Sequence, residues 1–300
     1  MENTEITQES IFTNAGEHRL HLRRFYTNPK GQPVWMVHGS IENGHIFYSN
    51  SGKGLAPFLA AQGYDVFVAD LRGRGKSTPP IDSSSKWGLK ENLKEDFPAY
   101  IEKIRELKGN QPQHWMAHSW GGVMQLAFLA RYTSPAEVAS LTFFGTKRRI
   151  GIFSLTKFLK VDLVWNHFSK LLVKKYGYLP AKKFNIGSDN ESRRSHSETH
   201  HWVVAKKWLD WHDNFDYGKA LQEKELPPAL YLTGANDKEL GNPADVRELM
   251  LETKSANAKM QVVGKKEGYL HDYDHINLLT HPDAPKDHFR EIIEWLKKFR

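Results

Sequence analysis

The sequence predicts an α/β protein built on one mostly parallel, twisted sheet with helices on both faces. Three observations lead there. Short apolar runs such as VWMV (34–37) and VFVA (66–69) are bounded by turn residues, which suits strands buried on both faces. Amphipathic segments of helical length separate these runs, giving the strand–helix alternation of an α/β sheet. The chain has 300 residues, 39% hydrophobic and 26% charged, enough to enclose a sizeable core.

The elements follow in order. Ile6 to Phe12 and Leu20 to Tyr26 read as a hairpin turning at Asn14 to Gly16. Val34 to Val37 is a buried strand ending at His38-Gly39. Leu55 to Gln62 is a helix stopped by Gly63. Val66 to Ala69 is a strand that runs into DLRGRGKS, expected as a surface turn. Phe97, Ile101, Ile104 and Leu107 recur at helical spacing within a helix over 93–107. His114 to Ala117 is a strand, Gly121 to Tyr132 a helix and Ser140 to Phe144 a strand. The rhythm then breaks, and 146–226 reads as helical, with no clear strand. Strands resume at Ala229 to Thr233 and Lys259 to Val263, with helices at about Ala244 to Leu251 and Lys286 to Phe299. The expected organisation is a core in two parts, 1–145 and 227–300, with a helical cap inserted at 146–226.

Composition narrows the chemistry. The absence of Cys removes disulfides, thiolate nucleophiles and Cys-based metal sites, and a reducing cytoplasm is the simplest setting. The start, MENTEITQES, has neither a basic nor an apolar region of a secretory signal. No run approaches the ~18 apolar residues of a membrane span. The net charge of +7 lies wholly in 146–226, which carries 16 Lys/Arg against 9 Asp/Glu, while the rest balances at 26 each. The basic cap is compatible with weak contact to an anionic membrane surface. It carries no DNA-binding signature, and no nucleic acid partner is expected.

The stretch HWMAHSWGGV carries the first candidate site residue. Ser119 lies between a strand and a helix, in A-H-S-W-G, one residue from the nucleophile pattern G-x-S-x-G. A serine hydroxyl needs a base, a group that orients the base, and donors for the oxyanion. Ser is also a good N-cap, so the context has to decide. MVHGSIENG ends a strand upstream of the elbow, where a second oxyanion donor belongs. The donors expected are the backbone N–H groups of Ser40 and Trp120, with Ile41 as the alternative to Ser40. Asp237 in TGANDKELG follows a later strand and can orient a histidine, although loop-capping is the commoner use of an Asp. His271, His275 and His281 follow the last strand. His275 precedes the apolar run Ile276 to Leu279, and its loop can fold back over the elbow. The order Ser119, Asp237, His275 is one of the known triad orders.

Together, VHGS, GYDVFVADLRGRGKS, HSWGG, GANDKELGNPADV and YDHINLLTHPDAP make the chain resemble an α/β-hydrolase, similar to the acid-lipase and monoglyceride-lipase-like esterases. The resemblance covers most of 34–144 and 229–293 but not the insertion. It implies Ser119 as nucleophile, Asp237 as the acid and His275 as the base, with no cofactor or metal. The departures are Ala117 for Gly, the lack of Cys and the lack of a signal sequence.

The expected function is hydrolysis of a small carboxylic ester through an acyl-enzyme. The Trp-rich cap suggests an apolar acyl group, with Ile41, His118, Trp208 and Trp211 as pocket residues. Trp208 and Trp211, three apart, suit a helix facing its aromatics to a pocket. A C–C bond hydrolase or a proline iminopeptidase-like peptidase would use the same triad, and a non-catalytic ligand-binding relative would keep the fold. Asp70 to Ser77 lacks the Walker spacing of a phosphate loop. His196 and His200, at i and i+4, could hold a metal on a helix, but no HExxH accompanies them.

Overall fold

The computed structural model describes residues 5–151 and 168–299. The hairpin pairs β1 (Thr7–Ala15) with β2 (His18–Tyr26) in antiparallel register, Ala15 opposite His18. Gly16 makes the tight turn at φ 59°, a conformation that a side chain would resist. β3 (Pro33–Val37), β4 (Asp65–Asp70), β5 (Gln113–His118), β6 (Val138–Phe144), β9 (Ala229–Gly234) and β10 (Ala258–Val263) complete the main sheet. Its order is β1-β2-β4-β3-β5-β6-β9-β10. Every pairing from β4 to β10 is parallel; only the hairpin and its junction with β4 are antiparallel.

Alternation along each strand sorts side chains to two cores. Trp35 and Val37 point to one face with Phe67, Trp115 and Phe143. Val34 and Met36 point to the other with Val66, Val68, Met116 and Phe144. The first face is covered by the helices Phe97–Lys108 and Trp120–Arg131, where Trp35 meets Phe97 and Trp115 edge-on at centroid separations of 4.9 and 5.1 Å. The second is covered by Leu55–Ala61 and the strongly amphipathic C-terminal helix Phe289–Leu296.

Three expectations are revised. The helix expected over 93–107 begins as a wider π turn, Asn92–Asp96, and becomes α at Phe97–Lys108. In that turn Asn92 Nδ2 donates to Asp96 Oδ2 at 2.7 Å, and Arg72 Nε donates to Asp96 Oδ1 at 2.9 Å, so a buried polar group shapes the helix start. The C-terminal helix starts at Phe289, three residues later than its apolar pattern suggests. DLRGRGKS is not a surface turn: Asp70, Arg72 and Arg74 are buried, Arg72 pairing with Asp96 and Arg74 with Glu191.

The inserted segment contributes the helices Ser169–Tyr176, Arg193–Val204 and Tyr217–Gln222. It also holds a small ladder of its own, β7 (Tyr178–Leu179) with β8 (Glu191–Ser192), where no strand was expected. Trp165, one of the four tryptophans of the insertion, lies outside the described residues.

One buried charge cluster ties the hairpin to the sheet. Asp65 is fully buried, accepts from Arg24 Nε at 2.8 Å and Arg24 Nη2 at 2.7 Å, and pairs with Lys108 Nζ at 2.8 Å. Removing the Asp65 carboxylate would leave the buried Lys108 without a countercharge and Arg24 with Glu9 alone. Asp65→Ala is therefore expected to cost about 3–5 kcal/mol in urea unfolding. A loss below about 1 kcal/mol would show that the cluster contributes little.

Candidate active site

β5 ends at His118 and the helix Trp120–Arg131 begins two residues later, so Ser119 alone makes the corner. Its backbone stands at φ 51°, ψ −121°, a strained conformation for a non-glycine residue and the geometry expected of a nucleophile elbow. The corner is held from both sides. Ser119 N–H donates to the Phe144 carbonyl at 2.8 Å, fastening it to the end of β6. A Cβ at Gly121 would stand 2.5 Å from the Val37 oxygen and 2.6 Å from the His38 oxygen. A glycine is therefore needed where the helix crosses the end of β3. Ala117, in place of the usual first glycine, is completely buried in the core and its methyl is accommodated.

The loop after β9 carries Asp237, and the loop after β10 carries His275. His275 Nδ1–H donates to Asp237 Oδ2 at 2.6 Å, and Gly241 N–H donates to Asp237 Oδ1 at 2.7 Å. Asn236 N–H donates to the Tyr273 carbonyl at 2.8 Å, joining the two loops by their backbones. Burial would raise the Asp237 pKa, but His275 and the Gly241 N–H overcome this and hold it below the ordinary carboxylate value. Burial, the largest influence, lowers the His275 pKa; Asp237 raises it, but with the cations His118 and Lys147 also lowering it, it lies below the ordinary histidine value. At neutral pH His275 is thus a neutral imidazole with its proton on Nδ1, leaving Nε2 as a proton acceptor. Gly145 lies against this pair: a Cβ there would meet His275 Nδ1 at 2.8 Å and Asp237 Oδ2 at 3.3 Å. Among the described residues, Ser119 Oγ forms no hydrogen bond with His275, a gap of the kind that closes when substrate is bound.

Behind the elbow lies a second pair. His118 Nδ1 meets Glu42 Oε2 at 2.8 Å, and His118 Nε2 meets the His275 carbonyl at 2.9 Å. Both partners can only accept, so both ring nitrogens carry hydrogen and His118 is an imidazolium. Burial opposes that charge, but Glu42 raises the His118 pKa. Burial would likewise raise the Glu42 pKa, yet His118 draws it down to about 2. Glu42 Oε2 also accepts from Gly39 N–H at 2.8 Å. One ion pair therefore joins the loop of Ser40 to the loop of His275. Glu42 was not anticipated from the sequence, although it stands in HGSIENG, four residues after His38.

Of the two residues expected to supply oxyanion donors, Trp120 is the first residue of the elbow helix and Ser40 lies in the pinned loop after β3. Arg74 Nη1 donates to the Gly39 carbonyl at 3.0 Å, adding a second hold on that loop. Ile41 has φ 50°, rare for a β-branched residue, and its carbonyl accepts from Asp189 N–H of the insertion at 3.0 Å. The insertion is thereby fixed to the loop that carries Ser40.

The other pocket expectations change. His118 is fully buried and supports the site from behind instead of lining it. Trp208 and Trp211 do not lie on a helix, because Arg193–Val204 ends before them. Trp208 is sealed in the core, 1% exposed, against Trp202 and Tyr217. Trp211 is 53% exposed and stands edge-on to His201 at 4.8 Å, on an outer groove with Lys170, Lys174 and Arg193. The tryptophan beside the elbow is Trp202, 6.2 Å from Trp120 between centroids. His196 bonds Ser169 Oγ at 2.8 Å. Among the described residues the group with metal-ligand geometry is a different one, His271, His281 and Asp283, whose ligand atoms lie within 4.8 Å of one another. Its members already bond each other, His271 Nε2 to Asp283 Oδ2 at 2.9 Å and Asp283 N–H to His281 Nδ1 at 3.2 Å.

A doubly covered parallel sheet with a Ser corner after β5, and acidic and His loops after later strands, defines the class. The chain belongs to the alpha/beta hydrolase fold family, whose model matches residues 32–188. Among curated proteins it is similar to the proline iminopeptidase of Xanthomonas citri, 27% identical over 69% of this chain and 62% of that protein. It is also similar to the lysosomal acid lipase/cholesteryl ester hydrolase of Rattus norvegicus, 24% identical over 95% of this chain and 86% of that protein. The chain spans under two thirds of the iminopeptidase and only 18% of a probable oxidoreductase, EphD, of Mycobacterium bovis. Among solved structures, a putative lipase from Acinetobacter baumannii superposes with a TM-score of 0.66 at 18% identity, covering 97% of this chain and 92% of that one. The esterase EaEST from Exiguobacterium antarcticum gives 0.64 at 17% identity, covering 96% and 100%. At these identities the structural matches speak for the fold alone.

Proposed function

We propose that this member of the family is a serine esterase that hydrolyses small carboxylic esters through an acyl-enzyme. Ser119 attacks the acyl carbonyl, and His275 Nε2 takes its proton. Asp237 holds the imidazole in the productive tautomer, and the N–H groups of Ser40 and Trp120 receive the oxyanion. His275 then protonates the leaving alcohol, and water repeats the sequence on the acyl-enzyme. The observation that carries this reading is the strained Ser119 corner standing with a buried His275–Asp237 bond of 2.6 Å. The lipase relatives support the ester class. The buried Trp208 and the outward Trp211 give no support to an apolar acyl preference.

The iminopeptidase relative favours a second reading, removal of an N-terminal proline by the same triad. Turnover of 4-nitrophenyl esters of graded chain length, set against proline 4-nitroanilide, separates the two. Faster turnover of the anilide would replace the esterase with the peptidase.

The base role of His275 fixes the sign of the pH dependence. The imidazole acts only when neutral, so activity falls as pH drops through its pKa. Burial and the neighbouring His118 cation lower that pKa. The acid limb of kcat/KM is therefore expected below the ordinary histidine value of about 6.5. A profile between about pH 4 and about pH 9 on a neutral ester tests this, and a limb above 7 would contradict it.

A further inference from the structure

Six Lys or Arg side chains are buried among the described residues. Arg24, Arg72, Arg74, Lys108 and Arg148 each form an ion pair with a carboxylate. Lys147 is the exception. It is 8% exposed and, among the described residues, forms neither an ion pair nor a hydrogen bond. Its neighbour Arg148 shows the contrast, since its guanidinium bonds Glu252 and the carbonyls of Trp202, Ala205 and Lys206.

The position of Lys147 explains why this matters. Gly145, two residues earlier, lies against the His275–Asp237 pair, and Thr146 packs against the place of Gly122 on the elbow helix. Lys147 therefore leaves the sheet at the carboxyl end of β6, beside the elbow, where ligands of open α/β sheets bind. Among the described residues, the charged and titratable groups acting on it are Asp237, Asp245 and His275. Asp237 is committed to His275 and Gly241, and Asp245 Oδ1 accepts from Gly151 N–H at 2.8 Å.

We propose that Lys147 is an anion-binding residue of the substrate pocket, so that the preferred ester carries a carboxylate or phosphate group. This rests on the reading of Ser119, His275 and Asp237 as the reacting triad. A buried ammonium without an acceptor is strongly disfavoured. Burial accordingly pushes the Lys147 pKa down, with Asp237 and Asp245 opposing only in part. An arriving anion would supply the directly bonded acceptor that none of the described residues gives Lys147, Asp237 and Asp245 acting on it only from a distance. The same cation would repel a substrate with a free N-terminal ammonium, which sets Lys147 against the iminopeptidase reading.

The test compares 4-nitrophenyl hydrogen glutarate with 4-nitrophenyl valerate, which have five-carbon acyl chains and differ in a terminal carboxylate. The full chain is expected to favour the glutarate ester by about tenfold or more in kcat/KM, chiefly through KM. Lys147→Met, which keeps the bulk of the side chain, should erase that ratio, and Lys147→Arg should restore part of it. In parallel, calorimetry on Ser119→Ala titrates free glutarate and, separately, inorganic phosphate, with and without Lys147→Met. Tighter binding of one anion identifies the carboxylate or the phosphate class. If neither ester turns over but an anion binds through Lys147, the triad reading fails and the anion site stands. If esters turn over with no preference for charge, or a preference that ignores Lys147→Met, the anion site is overturned while the triad survives. If there is neither turnover nor Lys147-dependent binding, both are overturned.

Discussion

Ser119→Ala is expected to lower ester turnover by about a million-fold, the scale on which loss of a serine nucleophile is felt when it works as part of a unit. The corner itself should survive. Alanine at φ 51° meets the same backbone strain as serine, and the Phe144 hydrogen bond and the glycine contact at position 121 involve no hydroxyl. Ser119 Oγ makes no hydrogen bond to His275 that the mutation would break. The thermal midpoint should therefore stay close to that of the parent while 4-nitrophenyl ester turnover falls. The parent should also be labelled at residue 119 by a fluorophosphonate, and the variant should not. Activity within tenfold of the parent, or labelling at a different serine, would remove Ser119 from the mechanism and leave a ligand-binding relative as the better account.

What the sequence reveals about this site divides by the distance over which each feature is determined. The elbow is local: a buried strand, one Ser, two glycines and a helix lie within 19 consecutive residues, 113–131, and their order dictates the turn. The hairpin and the parallel strands are legible for a similar reason, since two-faced burial leaves short unbroken apolar runs such as Val34 to Val37. His275 is preferred over His271 and His281 for its place before an apolar run and for a loop long enough to fold back over the elbow, and the structure joins it to Asp237. The ion pair of Glu42 and His118 was not legible, because it spans 76 positions and neither residue belongs to a periodic pattern. DLRGRGKS was misread for the opposite reason. Its composition is that of a surface turn, but Asp96 and Glu191, far along the chain, neutralise its arginines and permit burial. Trp208 and Trp211 also misled: a spacing of three suits a helix, yet Arg193–Val204 stops short of them. A bridge between Leu209 and Asp216 folds the chain into a loop there.

Asp237→Asn is expected to lower kcat by about 10⁴-fold with the fold intact, and the hydrogen bonds around Asp237 explain the size of the effect. The carboxylate accepts twice, from Gly241 N–H at Oδ1 and from His275 Nδ1–H at Oδ2. An asparagine can accept only through its single oxygen. Facing that oxygen to Gly241 preserves the loop, since a buried N–H without an acceptor is costly. The amide NH₂ then faces His275 and donates to Nδ1. The imidazole must carry its proton on Nε2 instead, the nitrogen required to accept from Ser119, so a neutral His275 is present but cannot act as the base. Facing the oxygen to His275 would rescue the tautomer only by setting an NH₂ against the Gly241 N–H. Loss of the carboxylate charge adds to the effect, because the imidazolium formed during attack then lacks its counterion. The variant should keep the thermal midpoint within a few degrees, retain ester binding as judged by KM, and show ¹⁵N shifts of His275 consistent with an Nε2–H tautomer. A kcat within about tenfold of the parent, with His275 still protonated on Nδ1, would mean that another group orients the imidazole and that Asp237 serves the loop alone.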